Sequence, residues 1–312
     1  MIKKSLEYIS KIGRRSTETT DNHDIKIAMH VKQLKEKGFV ILDHLVNSKE
    51  FKELKKEINK NIEDNLNLKF PCLAQSKIDE NRDKDLIVSN FLATDKTLSE
   101  RNLTFIRNDI KSYDDMINKF SPSTLTLEMQ DRVSFFNVWL DKTIIAIVQS
   151  YMGFIPEMVE AYVRRNFPCK YKVMNHFWHR DTNHSEHLLK AFIFFTDCDI
   201  NTGAHHYISE SINEKKFNEN RYFSDEEIHS HWPKNSKNHI ISKVKAGTVI
   251  IEDTRGLHKA GTPNVKYRDL GFAVFLPPNI FRKKKSFYKI SKSNYNLLSK
   301  NQQLYIPNSN FI

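Results

Sequence analysis

Cysteine is scarce in this 312-residue chain, with only Cys72, Cys169 and Cys198. An odd number at wide spacing builds no disulfide framework and no paired-cysteine zinc site, and it fits a reducing, cytoplasmic compartment. Glycine (8) and proline (9) are also few, which excludes collagen-like repeats and proline-rich linkers. Long apolar runs are missing too. The densest, from Leu188 to Phe195, contains Lys190 and is far shorter than the roughly 20 residues a membrane span needs. The amino-terminal MIKKSLEYISKIGRR is positive but has no apolar centre, so it does not read as a secretory signal. What remains is a globular composition, 39% hydrophobic and 28% charged, with enough Phe, Ile and Leu for a sizeable core.

The net charge of +11 is a statement about partners rather than fold. It tilts the expected small-molecule substrate towards an anion. The basic run Arg282–Lys285, followed by Phe287 and Tyr288, could stack bases, but a solvated charged face is the simpler reading, and nucleic acid is not expected as a partner. Oligomeric state is not legible.

Organisation follows from texture. Residues 1–24 form a polar lead-in. A single domain is expected over 25–285, helical to about 155 and β-rich over about 157–280, with 286–312 as a basic tail. Ile25–Lys37 has a helical pattern that Gly38 stops, and Phe39–Leu42 reads as a short buried strand. Ser48 is a fair N-cap for a helix with Phe51, Leu54, Ile58 and Ile62 on one face. Leu125–Met152 looks helical and ends at Gly153 and Pro156. Strand-like runs then follow at Glu160–Arg165, Tyr171–His179, Leu188–Thr196, His205–Ile208, Ile240–Val244, Gly247–Glu252 and Leu270–Leu276. Many short strands with turn signals indicate a sandwich or barrel, with the earlier helices bracing one sheet.

Three clusters carry chemistry. In Phe177-Trp178-His179-Arg180-Asp181, an extended backbone would project His179 and Asp181 to the same side, where both can reach one metal. His258 ends the run that starts at Gly247, and by itself would pass for a structural histidine. Arg268 follows ten residues later, beyond Gly261, Pro263 and Asn264, and a hairpin would return it beside His258. Two histidines, one carboxylate and open positions make the facial triad of non-haem Fe(II) oxygenases. An arginine nearby suits a dicarboxylate co-substrate, because its planar fork binds a carboxylate bidentately. The remaining histidines of the region, His176, His184, His187, His205 and His206, lack zinc-site spacing and read as surface or pocket residues.

With these residues in view, the sequence resembles the phytanoyl-CoA dioxygenase-like family of Fe(II)/2-oxoglutarate-dependent oxygenases. The likeness runs through WHRD at 178–181, LKAFIFFTDCDINTGAHHYISES at 189–211, RYFSDEEI at 221–228 and AGTVIIEDTRGLHKAGTP at 246–263, with EKGFVILDHLV at 36–46 similar to the family's opening. It implies a mainly β fold with flanking helices, a double-stranded β-helix (jelly-roll) core. It also implies iron on His179, Asp181 and His258, the distal carboxylate of 2-oxoglutarate on Arg268, and hydroxylation with release of succinate and CO2, with ascorbate as a supporting reductant. Relatives that halogenate lack the carboxylate that Asp181 supplies, so its presence favours hydroxylation. The chain departs from the pattern at Ser209-Glu210-Ser211 and at Ala260, where some relatives carry a hydroxyl; Thr262 is the replacement candidate for that co-substrate contact. Lys190 is a further candidate, with a solvent-facing strand-edge lysine as its plain alternative. The competing reading is a jelly-roll without turnover that binds a small anion, a glycan or nucleic acid.

Overall fold

The computed structural model describes residues 22–66, 72–75, 90–92, 123–127, 131–170, 172, 174–181, 188–279 and 288–312. The lead-in before residue 22, the basic run 282–285, Phe287, His184 and His187 lie outside them. The first helix, α1 (Asn22–Lys37), ends at Gly38, and β1 (Phe39–Leu42) follows at once. The helix α2 (Lys49–Leu66) starts where Ser48 Oγ accepts from the Phe51 amide at 3.2 Å, a cap worth about 1 kcal/mol. Its expected face, Phe51, Leu54, Ile58 and Ile62, is buried.

The eleven strands named here are all antiparallel to their neighbours. One sheet has the order β1–β9–β6–β11–β5–β4–β2–β3. Its members are β2 (Cys72–Gln75), β3 (Asn90–Leu92), β4 (Thr124–Leu127), β5 (Glu157–Asn166), β6 (Leu189–Phe194), β9 (Val249–Glu252) and β11 (Arg268–Leu276), besides β1. The second sheet, β10–β7–β8, comprises β7 (His205–Ile208), β8 (His239–Ser242) and β10 (His258–Ala260), with His179 bridged onto its edge at His258 and Trp178 bridged to Phe223. This is the expected double-stranded β-helix. In the large sheet, β6, β9 and β11 are buried on both faces, which explains why they read as continuous apolar runs rather than alternating ones. Ala161, Val163, Ala191, Ile193, Ile251, Ala273 and Phe275 join the helices in the main core. Phe192, Phe194, Ile250 and Leu270 form a separate cluster on the opposite face, between the sheets.

Three expectations are corrected. Leu125–Met152 is not one helix. Thr124-Leu125-Thr126-Leu127 has the period of a strand and pairs with β5; α3 (Val133–Trp139) and α4 (Lys142–Met152) follow. Asp141 divides the two helices by capping α4, its carboxylate accepting from the Thr143 amide at 2.9 Å and held by His44 at 2.8 Å. Apolar spacing cannot show such a cap. Tyr171–His179 is not a strand in its described part: Met174–His176 is a 3-10 turn, and only Trp178 and His179 make bridge pairs. The carboxy-terminal segment, expected as a basic tail, packs on the core in its described part. Residues 288–312 carry the short helices Lys292–Leu297 and Lys300–Gln303 and bury Tyr288, Ile290, Tyr305 and Ile306 in the main core. The Tyr288 hydroxyl donates to the Met158 carbonyl, and its ring meets Phe136 edge-on, which removes Tyr288 from any base-stacking role.

Candidate active site

His179 and His258 face each other across an antiparallel bridge. Each amide donates to the other's carbonyl at 3.0 Å, so their side chains leave the same side of the pair. The two rings lie 4.2 Å apart between centroids. The Asp181 amide donates to the Thr254 carbonyl at 2.8 Å, which continues the extended path. Arg180, between the two ligands, points to the opposite side and donates to the carbonyls of Phe217 (2.9 Å) and Arg255 (2.6 Å). The alternation expected from the sequence therefore holds, although it rests on bridge pairs instead of a full strand.

The tautomers follow from the hydrogen bonds. His179 Nδ1 lies 2.9 Å from the Phe177 carbonyl and His258 Nδ1 lies 3.0 Å from the Gly256 carbonyl. A carbonyl only accepts, so each Nδ1 carries the proton and each Nε2 presents a lone pair to the cavity. Burial lowers the pKa of both imidazoles, which keeps them neutral. Burial would raise that of Asp181, but the Lys190 ammonium beside it holds it well below the usual carboxylate range. One donor atom from each of His179, Asp181 and His258 lies within 4.8 Å of the others, and among the described residues no other such group of histidine, cysteine or acidic side chains occurs. Two neutral imidazoles and an ionised carboxylate on one side suit a divalent iron with open positions.

Lys190 is not a strand-edge lysine. It lies on β6, inside the large sheet between β9 and β11, and its ammonium is 2.6 Å from Asp181 Oδ2. Arg268 is buried as well, but not through a hairpin. β10 belongs to the small sheet and β11 to the large one, so residues 261–267 cross between sheets. Arg268 donates to the Gly203 carbonyl and, at 3.2 Å, to Asn166 Oδ1, while its buried Nε has no partner. Burial pulls its pKa below the ordinary arginine value. The crossing depends on two glycines. A Cβ on Gly261 would stand 2.4 Å from the Ala204 carbonyl, and one on Gly203 (φ +81°) 2.5 Å from the Gly261 carbonyl. Thr262 is half-buried on the crossing and makes no side-chain hydrogen bond among the described residues.

Further residues of the site were not singled out by sequence reasoning. His205 and Glu252 are buried together, Nε2 to Oε2 at 2.8 Å, with the His205 ring 5.9 Å from that of His258. His176 is buried too, so neither it nor His205 is a surface residue. Asp225 accepts from Trp178 Nε1 at 2.8 Å, from Lys172 at 3.1 Å and from Lys259. Trp178 precedes one metal-ligand candidate and Lys259 follows another, so a single carboxylate ties both segments. The only sequence signal for Glu252 was an acid ending the apolar run Val249–Ile251. For Asp225 there was only the capping box of Ser224 and Glu227 beside it.

The comparisons agree with this architecture. The family model described as phytanoyl-CoA dioxygenase (PhyH) matches residues 34–265. The epimerase SnoN, solved with Fe3+, alpha-ketoglutarate and nogalamycin RO, has a TM-score of 0.52 at 11% identity, covering 81% of this chain and 84% of its own. EctD from S. alaskensis, solved with 2-oxoglutarate and 5-hydroxyectoine, has a TM-score of 0.50 at 17% identity, covering 84% of this chain and 79% of its own. No curated protein sequence matches the chain. At such identities the solved structures speak for the fold, while the family match speaks for the class, that of Fe(II)/2-oxoglutarate-dependent oxygenases. The chain belongs to the phytanoyl-CoA dioxygenase family.

Proposed function

We propose that this enzyme hydroxylates a small, anionic molecule at a centre held by His179, Asp181 and His258, with Arg268 on the distal carboxylate of 2-oxoglutarate and with Lys190 and Thr262 as further co-substrate contacts. When bound, iron with 2-oxoglutarate supplies the O2-dependent oxidising chemistry that no side chain provides. The chain's own residues bind, orient and exclude water. His179 and His258 offer Nε2 because Phe177 and Gly256 hold their Nδ1 protons. Lys190 keeps Asp181 ionised and turned into the cavity. Phe192 and Phe272, with ring centroids 5.8 Å apart, line it with apolar surface. The observation that carries this reading is the convergence of the three donor atoms with both ring tautomers fixed. It disfavours the binding-module alternative, since recognition alone needs no such set.

The test is metal and succinate together. The wild-type chain should bind one Fe(II) or Mn(II) and, without oxygen, give a weak visible charge-transfer band on adding Fe(II) and 2-oxoglutarate. His179→Ala, Asp181→Ala and His258→Ala should each lose metal binding and succinate release. Retained metal binding and turnover in all three would refute the ligand assignment.

A further inference from the structure

Two arginines stand side by side on β5, and their neighbours treat them differently. Arg165 faces away from the cavity, pairs bidentately with Asp269 at 2.8 Å through both nitrogens, and lies 3.7 Å from the centroid of the Tyr267 ring. Arg164 faces the other way, as strand alternation requires, onto the inter-sheet side where β11 presents Leu270 and Phe272. Its guanidinium lies 4.6 Å from the Tyr162 ring centroid and 5.4 Å from that of Phe272, and it donates to the Tyr162 hydroxyl. Its Nε is buried without a partner. Among the described residues no carboxylate lies within 4.0 Å of it, and the side chain is half-buried, with its Nε out of water.

Its position relative to the candidate metal centre is fixed by one ring. Lys190 Nζ, the partner of Asp181, also sits 5.4 Å from the Phe272 centroid. Arg164 and Lys190 thus share Phe272, and from that ring Phe192, His205 and His258 follow in contact, at 5.8, 5.0 and 5.9 Å between successive centroids. Asp181 has Lys190 and Glu252 has His205, and Glu160, on the same side of β5, has Lys190 and Arg164 as nearby charges without an ion pair to either; among the described residues no carboxylate lies within 4.0 Å of Arg164 or Arg268. 2-Oxoglutarate held through its keto-acid end leaves one distal carboxylate, enough for one of the two.

We propose that Arg164 is the substrate-binding residue of this cavity, taking an oxyanion, carboxylate or phosphate, of the substrate while the aromatic faces of Tyr162 and Phe272 lie along its carbon frame. The proposal rests on the 2-oxoglutarate-dependent reading above and adds the residue that selects for negative charge. A planar fork with an unused N–H is suited to bidentate oxyanion recognition.

The probes are inorganic phosphate and acetate, titrated calorimetrically into the full chain, both metal-free and loaded with Mn(II) and 2-oxoglutarate. The loaded wild type should bind at least one of them in the millimolar range, and the tighter of the two identifies the oxyanion. Arg164→Gln should weaken that binding at least tenfold and leave 2-oxoglutarate affinity within twofold. Arg164→Lys, which keeps the charge and serves if the glutamine variant does not fold, should retain phosphate better than acetate, because it loses the fork. A tenfold loss of 2-oxoglutarate affinity in Arg164→Gln would overturn the proposal by making Arg164 a co-substrate residue. Anion binding absent from the wild type, or unchanged in both variants, would overturn it too. Should the wild type with Mn(II) fail to bind 2-oxoglutarate, the enzyme reading falls, while the metal-free titrations still decide whether Arg164 is an anion site.

Discussion

Replacing Arg268 is the sharpest test of how the co-substrate is held. The side chain is buried at the start of β11, with one amino group on the Gly203 carbonyl, the other on Asn166 Oδ1 and Nε unpartnered. Truncating one member of a buried charged pair costs about 2–5 kcal/mol. At about 1.4 kcal/mol per tenfold, Arg268→Ala should weaken 2-oxoglutarate binding by roughly thirtyfold to a few thousandfold. The lower part of that range is expected, because the guanidinium has two protein acceptors to leave or share on binding the carboxylate. Arg268→Lys keeps the charge but not the fork, and should fall between wild type and alanine. The fold also responds: the two lost hydrogen bonds amount to about 1 kcal/mol each, so urea unfolding should show a loss of stability of that order beside the loss of affinity. The assay is calorimetric titration of 2-oxoglutarate into Mn(II)-loaded protein, with urea midpoints measured in parallel. A folded Arg268→Ala variant that binds 2-oxoglutarate like the wild type would refute the assignment and leave Arg164 or Lys190 as the holder.

Asp225→Asn should lower metal affinity about 10–100-fold, as expected when a group orienting metal ligands is changed, because it weakens the tie between Trp178 and Lys259; a Mn(II) titration reads this, and unchanged affinity would make Asp225 a purely local contact. Gly261→Ala drives a methyl into the Ala204 carbonyl and should cost about 1–3 kcal/mol of stability, with 2-oxoglutarate affinity falling alongside; a variant as stable as wild type would show that the crossing can yield. Acid should also destabilise the fold. Burial, reinforced by Arg268 and Lys172 around His176 and by Lys259 and His239 around His206, lowers the pKa of both histidines to about 3. Between there and the ordinary value of about 6.5 the unfolded chain binds more protons, so stability falls with decreasing pH, with a limiting slope of about 1.4 kcal/mol per pH unit for each histidine. Urea midpoints between pH 7 and about 4.5 should show this, with a shallower slope in His176→Asn; equal slopes would mean that His176 titrates normally in the folded protein.

The parts that depend on near neighbours were legible in the order of residues alone. Gly38 after α1, the N-cap Ser48 and the apolar face of α2 are local signals, and so are the continuous apolar runs of β6, β9 and β11, which are buried on both faces. The spacing of His179 and Asp181 already implied a shared side, and rare residue types in familiar surroundings pointed to His258 and Arg268. Tertiary structure decided everything that depends on which distant segments meet. Residues 261–267 cross between sheets where a hairpin was expected, because Gly203 and Gly261 allow two backbones to touch there. Lys190 meets Asp181, His205 meets Glu252, and Arg164 makes no ion pair among the described residues, since strand register sets those meetings and a strand's own residues do not encode it. Tyr288 and Tyr305 are core residues for the same reason: the energy of burying a ring depends on what closes over it, and here that is α3, α4 and β5, which lie more than a hundred residues earlier in the chain.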